Sequence, residues 1–199
     1  MGFFSGNLSL KRFFIEEIEY FKDKERVVAN LNNYLFKDIE NQAKEESIGW
    51  VSPLKVYKSQ IDVEEIYYGN YILLALRYDT KKVSKVLIDC KLNETIEREG
   101  LSIQNNKQLK QLKDDIKQEL LKKTLPSPKI VEAVIDLNKK TLLLNSTSKK
   151  LGGLFLSLFE KSFSIMPVYV DPTVFSYISV GKQGVEKLSS LTETVIYDE

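Results

Sequence analysis

The period of the apolar positions changes several times along the chain, and each change predicts an element. Residues 8–15, LSLKRFFI, read as a strand, and Glu16, Glu17 and Glu19 follow as if at a solvated edge. From Asp23 onward, Val27, Leu31, Tyr34 and Leu35 recur at helical spacing, with Asp23 placed to cap the first turn. The run SIGWVSPL at 47–54 is short and apolar and closes on Pro53; its tryptophan, Trp50, is expected as a core anchor. Residues 55–69 turn polar and acidic and predict a loop or hairpin excursion. Then NYILLALRYD at 70–79 is almost continuously apolar, which predicts a central strand covered on both faces.

Beyond that strand the period lengthens. Ser84 is placed to cap a helix ending at Glu99, with Gly100 as its stop. Val86, Leu87, Ile88, Cys90, Leu92 and Ile96 spread widely around this helix and predict burial on more than one side. In the stretch 105–129, Leu109, Leu112, Ile116 and Leu120 form a narrower inward stripe. Lys110, Lys113 and Lys117 fall on one flank of it, and Asp115 and Glu119 on the other. Lys122 and Lys123 complement the dipole of the last turn, and Pro126 and Pro128 forbid continuation.

Strands at 130–136 and 141–145, joined by LNKK, predict an antiparallel hairpin. Ser146, Thr147 and Ser148 offer caps for a helix over 148–163 with an apolar face of Leu151, Phe155, Leu158 and Phe159. The run 165–170 returns to the sheet, and TVFSYISV and ETVIYDE read as further strand-like pieces. The predicted class is α+β, a mainly antiparallel sheet with packed helices and a projecting helical hairpin. The base would comprise 1–83 (β-α-β-β) and 128–199 (β-β-α-β), with 84–127 as the inserted hairpin.

Charge sharpens this picture. The net charge of the 199 residues is only +1, yet residues 1–65 carry 9 basic and 12 acidic side chains, 66–129 carry 13 and 8, and 130–199 carry 7 and 8. Contact with a polyanion is therefore expected from the middle third, driven by phosphates and weakened by salt. The chain has no histidine and one cysteine, Cys90. Histidine-dependent nucleophilic schemes, histidine zinc sites and an internal disulfide are excluded, and a reducing cytoplasm is expected. No apolar run approaches the length of a membrane span, and no cofactor motif of the Walker or dinucleotide type occurs. Gly6 stands where an N-myristoylation signal needs Ser or Thr.

Two chemistries remain open. Without histidine, a magnesium-dependent nuclease would use carboxylates and a lysine, and Asp79 with Lys81, supported by Asp62, supplies that set in minimal form. A D-x-K triplet is expected by chance in a chain that is 29% charged, and Asp114 and Asp115 point about 100° apart on their helix instead of facing one another. The better supported chemistry is phosphate binding. Arg77, Lys81, Lys82 and Lys85 cluster at the exit of the central strand, and Lys107, Lys110, Lys113, Lys117, Lys122 and Lys123 decorate the hairpin. Lys149 and Lys150 open the later helix. Lysine predominates over arginine, which favours sequence-independent binding. The third reading is a protein-interaction module without DNA affinity.

Several segments together resemble one family. GWVSPL (49–54), LRYDTKKVS (76–84), EREGLSI (97–103), LKDDIKQELL (112–121), VID (134–136) and STSKKLGGLFLSLFEKSF (146–163) stand in order and resemble the recombination-associated protein RdgC. The resemblance implies a bacterial, nucleoid-associated protein that binds double-stranded DNA without sequence preference. It implies a ring-shaped homodimer around the duplex and restraint of the RecA recombinase by occupation of DNA; members have also been called exonucleases, without a convincing catalytic site, and no cofactor is expected. By position, Arg77, Lys81, Lys149 and Lys150 match basic residues of the family, Lys123 replaces an arginine, and Leu125 replaces a phenylalanine at the hairpin tip. Members are longer than this chain, so an open dimer, a clamp or a larger oligomer is expected where they form a closed ring.

Overall fold

The computed structural model describes residues 8–58, 60–101 and 105–190. Its centre is a seven-stranded sheet with the order β2-β4-β5-β6-β1-β7 and the short β3 paired to β4. The strands are β1 (Leu10–Phe14), β2 (Glu46–Val51), β3 (Tyr67–Tyr68), β4 (Tyr71–Thr80), β5 (Ser127–Asp136), β6 (Thr141–Asn145) and β7 (Val168–Tyr169). Every pairing is antiparallel. The helices are α1 (Lys24–Asn33), α2 (Val63–Ile66), α3 (Lys85–Glu99), α4 (Asn106–Lys123), α5 (Lys149–Phe163), α6 (Pro172–Val180) and α7 (Lys182–Ser189). The α+β class expected from the sequence is what the chain adopts.

β4 explains the architecture. Its even positions Ile72, Leu74, Leu76 and Tyr78 join Val131, Ala133 and Ile135 of β5 and Leu142 and Leu144 of β6 in one core, because alternate side chains of a strand share a face. Val27 and Leu31 of α1 and Phe155, Leu158, Phe159 and Phe163 of α5 complete that core. Trp50 is its anchor, 1% exposed, with its indole Nε1–H donating to Ser162 Oγ at 2.8 Å. The odd positions Leu73 and Ala75 are buried on the opposite face, so β4 is covered on both sides as its unbroken apolar run predicts.

Gly49 is required by a close approach. A Cβ there would lie 2.3 Å from the backbone nitrogen of Phe36 and 2.4 Å from its Cα. Residues 34–36 run along the edge of β2, where Trp50 N–H donates to Tyr34 and Phe36 N–H donates to Trp50, each at 2.9 Å. Gly49→Ala is expected to cost about 2–3 kcal/mol, since the obstacle is main chain and cannot change rotamer. Urea denaturation checks this, and a loss below about 0.5 kcal/mol would mean that the 34–36 segment yields freely.

Several expectations are corrected. α1 ends at Asn33, so Tyr34 and Leu35 lie beyond it, and Leu35 forms a parallel bridge with Trp50. The backbone hydrogen bonds of β2 outcompeted the helical period. β1 is no solvated edge, being flanked by β6 and β7. The polar excursion holds the one-turn α2 and the two-residue β3, with Ile66 1% exposed. α3 buries only Leu92, while Val86, Leu87 and Cys90 are exposed, because α3 meets α4 along a single line and nothing covers its outer side among the described residues. In α4 only Ile116 and Leu121 are buried, and Leu109, Leu112 and Leu120 are half-covered. TVFSYISV is the helix α6 despite its branched and aromatic content; Asp171 caps it, Pro172 opens it and Gly181 ends it. The segment ETVIYDE lies outside the described residues.

Candidate nucleic-acid interface

The twelve basic residues singled out by the sequence fall into three groups, separated by what each charged head touches. In the first, the charge is spent internally. Arg77 lies on the second face of β4, and its Nε–H and Nη2–H donate to both oxygens of Asp79 at 2.8 and 2.7 Å. Its guanidinium also sits 4.3 Å from the centroid of the Phe36 ring. The Asp79 hydrogen bonds hold Arg77 above the usual guanidinium range. Lys81, only 3% exposed, donates to the carbonyls of Glu40 (3.3 Å), Gln42 (3.1 Å) and Leu121 (2.9 Å). The Lys81 head group is buried, and the Arg77 guanidinium, partly exposed, is already engaged by Asp79. Against the expectation that both contribute directly, Arg77 on the doubly covered β4 and Lys81 just past its end hold their head groups in contacts within the fold.

In the second group, lysines bridge to carboxylates. Lys113 pairs with Asp89 of α3 at 2.8 Å, Lys117 with Glu45, and Lys123 with Glu119 at 2.5 Å. The Lys113 hydrogen bond draws the Asp89 carboxyl below its ordinary value, and Glu45 raises Lys117. The positive flank of α4 is therefore interleaved with carboxylates, which the wheel of a single helix cannot show. Lys150 belongs partly here. It donates to the Tyr78 hydroxyl at 2.7 Å and reaches Glu46 at 3.4 Å. Hydrogen bonding to Tyr78 and Lys150 depresses the Glu46 carboxyl, and burial pushes the Tyr78 phenol up.

The third group comprises Lys82, Lys85, Lys107, Lys110, Lys122 and Lys149, all exposed and bridged to no carboxylate among the described residues. Lys107 and Lys110 stand in the first turns of α4, remote in sequence from the rest. The others gather through the topology. β4 ends at Thr80 beside Ser127 at the start of β5 and Glu46 at the start of β2. Lys82 and Lys85 follow that strand end, Lys122 lies in the last turn of α4 five residues before the return at Ser127, and α5 brings Lys149 and Lys150 to it through the contact of Lys150 with Tyr78.

One residue escaped the sequence reading. Lys129 on β5 is the cross-strand partner of Tyr78, exposed, and on the same face as the Tyr78–Lys150 contact. Its signal was the period of two that places 129 opposite a residue of the central strand, but the register depends on a pairing that spans the whole hairpin. The result is a sheet end where Lys129 and Lys150 flank Tyr78, with Glu46 beside Lys150, and where the chain segments carrying Lys82, Lys122 and Lys149 enter or leave the same end.

A family model described as "Putative exonuclease, RdgC" matches residues 7–176, most of the chain. The chain belongs to the RdgC family. No curated protein matches it. Membership gives the ordered segments of the sequence a common origin, and it covers the sheet, the hairpin and α5 together. It also makes the nuclease reading worth testing against geometry. In this RdgC-family chain both Asp79 oxygens are bound by Arg77 and the carboxylate is fully buried, while Lys81 is held by carbonyls. Asp62 is bound by Lys58 at 2.8 Å, on the excursion between β2 and β4. Asp79, Lys81 and Asp62 therefore do not assemble into a common site. Among the described residues no group of three or more Cys, Asp or Glu is spaced to hold a metal, and no helix is long and apolar enough to cross a membrane.

Proposed function

We propose that this RdgC-family protein is a non-catalytic, sequence-independent binder of double-stranded DNA that modulates recombination or replication by occupying the duplex. The observation that carries this reading is the sheet end where Lys82, Lys122, Lys129 and Lys149 stand exposed beside Lys150 and, among the described residues, free of carboxylate bridges. Lysines of this kind give compact, mobile point charges, suited to phosphates and poorly suited to reading base edges. The site works as part of a homodimer or larger oligomer in the nucleoid, where several such ends lie along one duplex and their weak contacts reinforce one another. Restraint of a RecA-type recombinase then follows from competition for DNA, without a direct contact.

Binding should be measured by fluorescence anisotropy on two duplexes of unrelated sequence across a range of salt. Equal affinity for both is expected, with a steep fall as salt rises. Changing Lys82, Lys129 and Lys149 together to alanine should reduce the magnitude of the log–log salt slope by about three and weaken both duplexes alike. Replacing Lys110, Lys113 and Lys117 should do less, because two of those three are already paired. An unaltered slope in the first triple variant would remove the sheet end as the binding surface. Incubation of labelled duplex with magnesium or manganese tests the exonuclease description, and processive degradation that persists in Asp79→Asn would place a catalytic centre elsewhere.

A further inference from the structure

The hairpin of α3 and α4 is attached to the rest of the protein by little apolar contact. Its buried side chains, Leu92, Ile116 and Leu121, do not belong to the hydrophobic core that the sheet shares with α1 and α5. α3 and α4 pack on one another, and no other element packs against either to a similar extent. Lys113 and Asp89 tie the two helices together. Two extended links, at 81–84 and 124–126, connect this pair to β4 and β5.

The attachment is polar and concentrated at one place. The Lys81 ammonium joins the last turn of α4, through the Leu121 carbonyl, to the 40–42 loop, through the carbonyls of Glu40 and Gln42. Its own backbone N–H donates to the Glu45 carbonyl at 2.7 Å, and the Glu45 carboxylate pairs with Lys117 one turn before Leu121. Among the described residues Lys81 has no carboxylate partner, and its buried ammonium is held by carbonyl dipoles, including the negative end of the α4 dipole. Separating α4 from the loop breaks these bonds and returns the ammonium to water, and the recovered hydration offsets much of the loss. A contact of this kind releases more easily than an apolar interface of equal size.

We infer that the α3–α4 hairpin is an arm that swings as one body about the links at 81–84 and 124–126, and that Lys81 is its latch. Opening exposes Lys81 and frees Lys117 beside Lys82, adding positive charge to the sheet end. That second consequence rests on the DNA-binding reading: a duplex, as a polyanion, favours the open arm in proportion to its preference for that state.

Hydrogen exchange on the free 199-residue chain tests the arm without DNA. The amides of α3 and α4 should exchange through one shared opening, faster than those of β4 and β5. Lys81→Met should accelerate both helices by roughly tenfold or more, as loss of charged hydrogen bonds implies, and leave β4 and β5 unchanged. Should that variant fail to fold, Glu45→Gln should accelerate the same helices by about two- to fivefold. Exchange of α4 and β4 at one common rate, or hairpin rates untouched by the substitution that folds, overturns the latch. For the duplex, spin labels on Cys90, the chain's only cysteine and exposed on α3, and on Lys139→Cys in the β5–β6 turn report the arm's position. The expected result is a longer distance population that grows as duplex is added. A duplex that binds without changing the distance overturns the coupling, and one that does not bind overturns the DNA-binding reading while the exchange data decide the latch.

Discussion

Arg77→Ala is expected to destabilise the protein by about 3–5 kcal/mol. The reason lies with its neighbour. Asp79 has no side-chain exposure, and both of its oxygens are bound by the Arg77 guanidinium, itself 21% exposed. Removing the arginine strands a buried carboxylate at the end of the central strand. Loss of the Phe36 ring contact adds to the cost. A double-mutant cycle with Asp79→Asn separates the contributions: the second substitution should recover much of the loss, because an amide is far cheaper to leave without its ion partner. Urea denaturation of the four proteins gives the coupling energy. A cost below about 1 kcal/mol for Arg77→Ala would mean that Asp79 reaches water by a local shift, and the pair would then be ornamental to stability.

Phe159→Ala is expected to cost a similar amount, about 3–5 kcal/mol, by a different route. Phe159 is fully buried, 4.8 Å from the Phe163 ring, 5.8 Å from Phe21 and 6.2 Å from Phe155, measured between centroids. Phe21 comes from the 3-10 turn at Ile18–Lys22, so this aromatic group joins an early segment of the chain to α5. The truncation leaves a cavity between rigid rings that α5 cannot close, since Trp50 and its bond to Ser162 hold the helix on the sheet. A fall in melting temperature on the order of 10 °C is the corresponding calorimetric result. Leu125→Ala, at a side chain 75% exposed, serves as the control and should stay within about 0.5 kcal/mol. A Phe159 loss no larger than that control would mean that the aromatic group repacks.

How far the sequence could be read depended on whether the deciding interaction was local. β4, α5 and the caps at Asp23, Ser84 and Ser148 were legible, because an unbroken apolar run and a serine or aspartate three residues before an N–H partner carry their own signal. The fate of α3 was not, since six apolar residues around a helix promise burial only if something arrives to cover them. The same reason limited the basic residues. Lys113, Lys117 and Lys150 look free along the chain, and the carboxylates that bind them, Asp89, Glu45 and Glu46, are distant in sequence. Lys129 was missed for the converse reason: its place next to Tyr78 is created by a strand pairing that no short window contains. α6 shows propensity yielding to punctuation, where Asp171, Pro172 and Gly181 fixed a helix that its branched residues argued against.

The ladder between β4 and β5 also has a temporal side. It is the longest pairing in the sheet, running from Tyr71 opposite Asp136 to Thr80 opposite Ser127, and its near ends are separated in sequence by the whole of α3 and α4. β5 and β6, joined through a four-residue turn at 137–140, meet with almost no loop to close. Loop-closure entropy therefore orders assembly: the β5–β6 pair zips early, and the central strand docks only once the intervening segment has shortened itself by coiling into helices. The inserted hairpin thus sets when the central strand meets β5, while β2 and β3, which precede that strand, can pair with it without waiting.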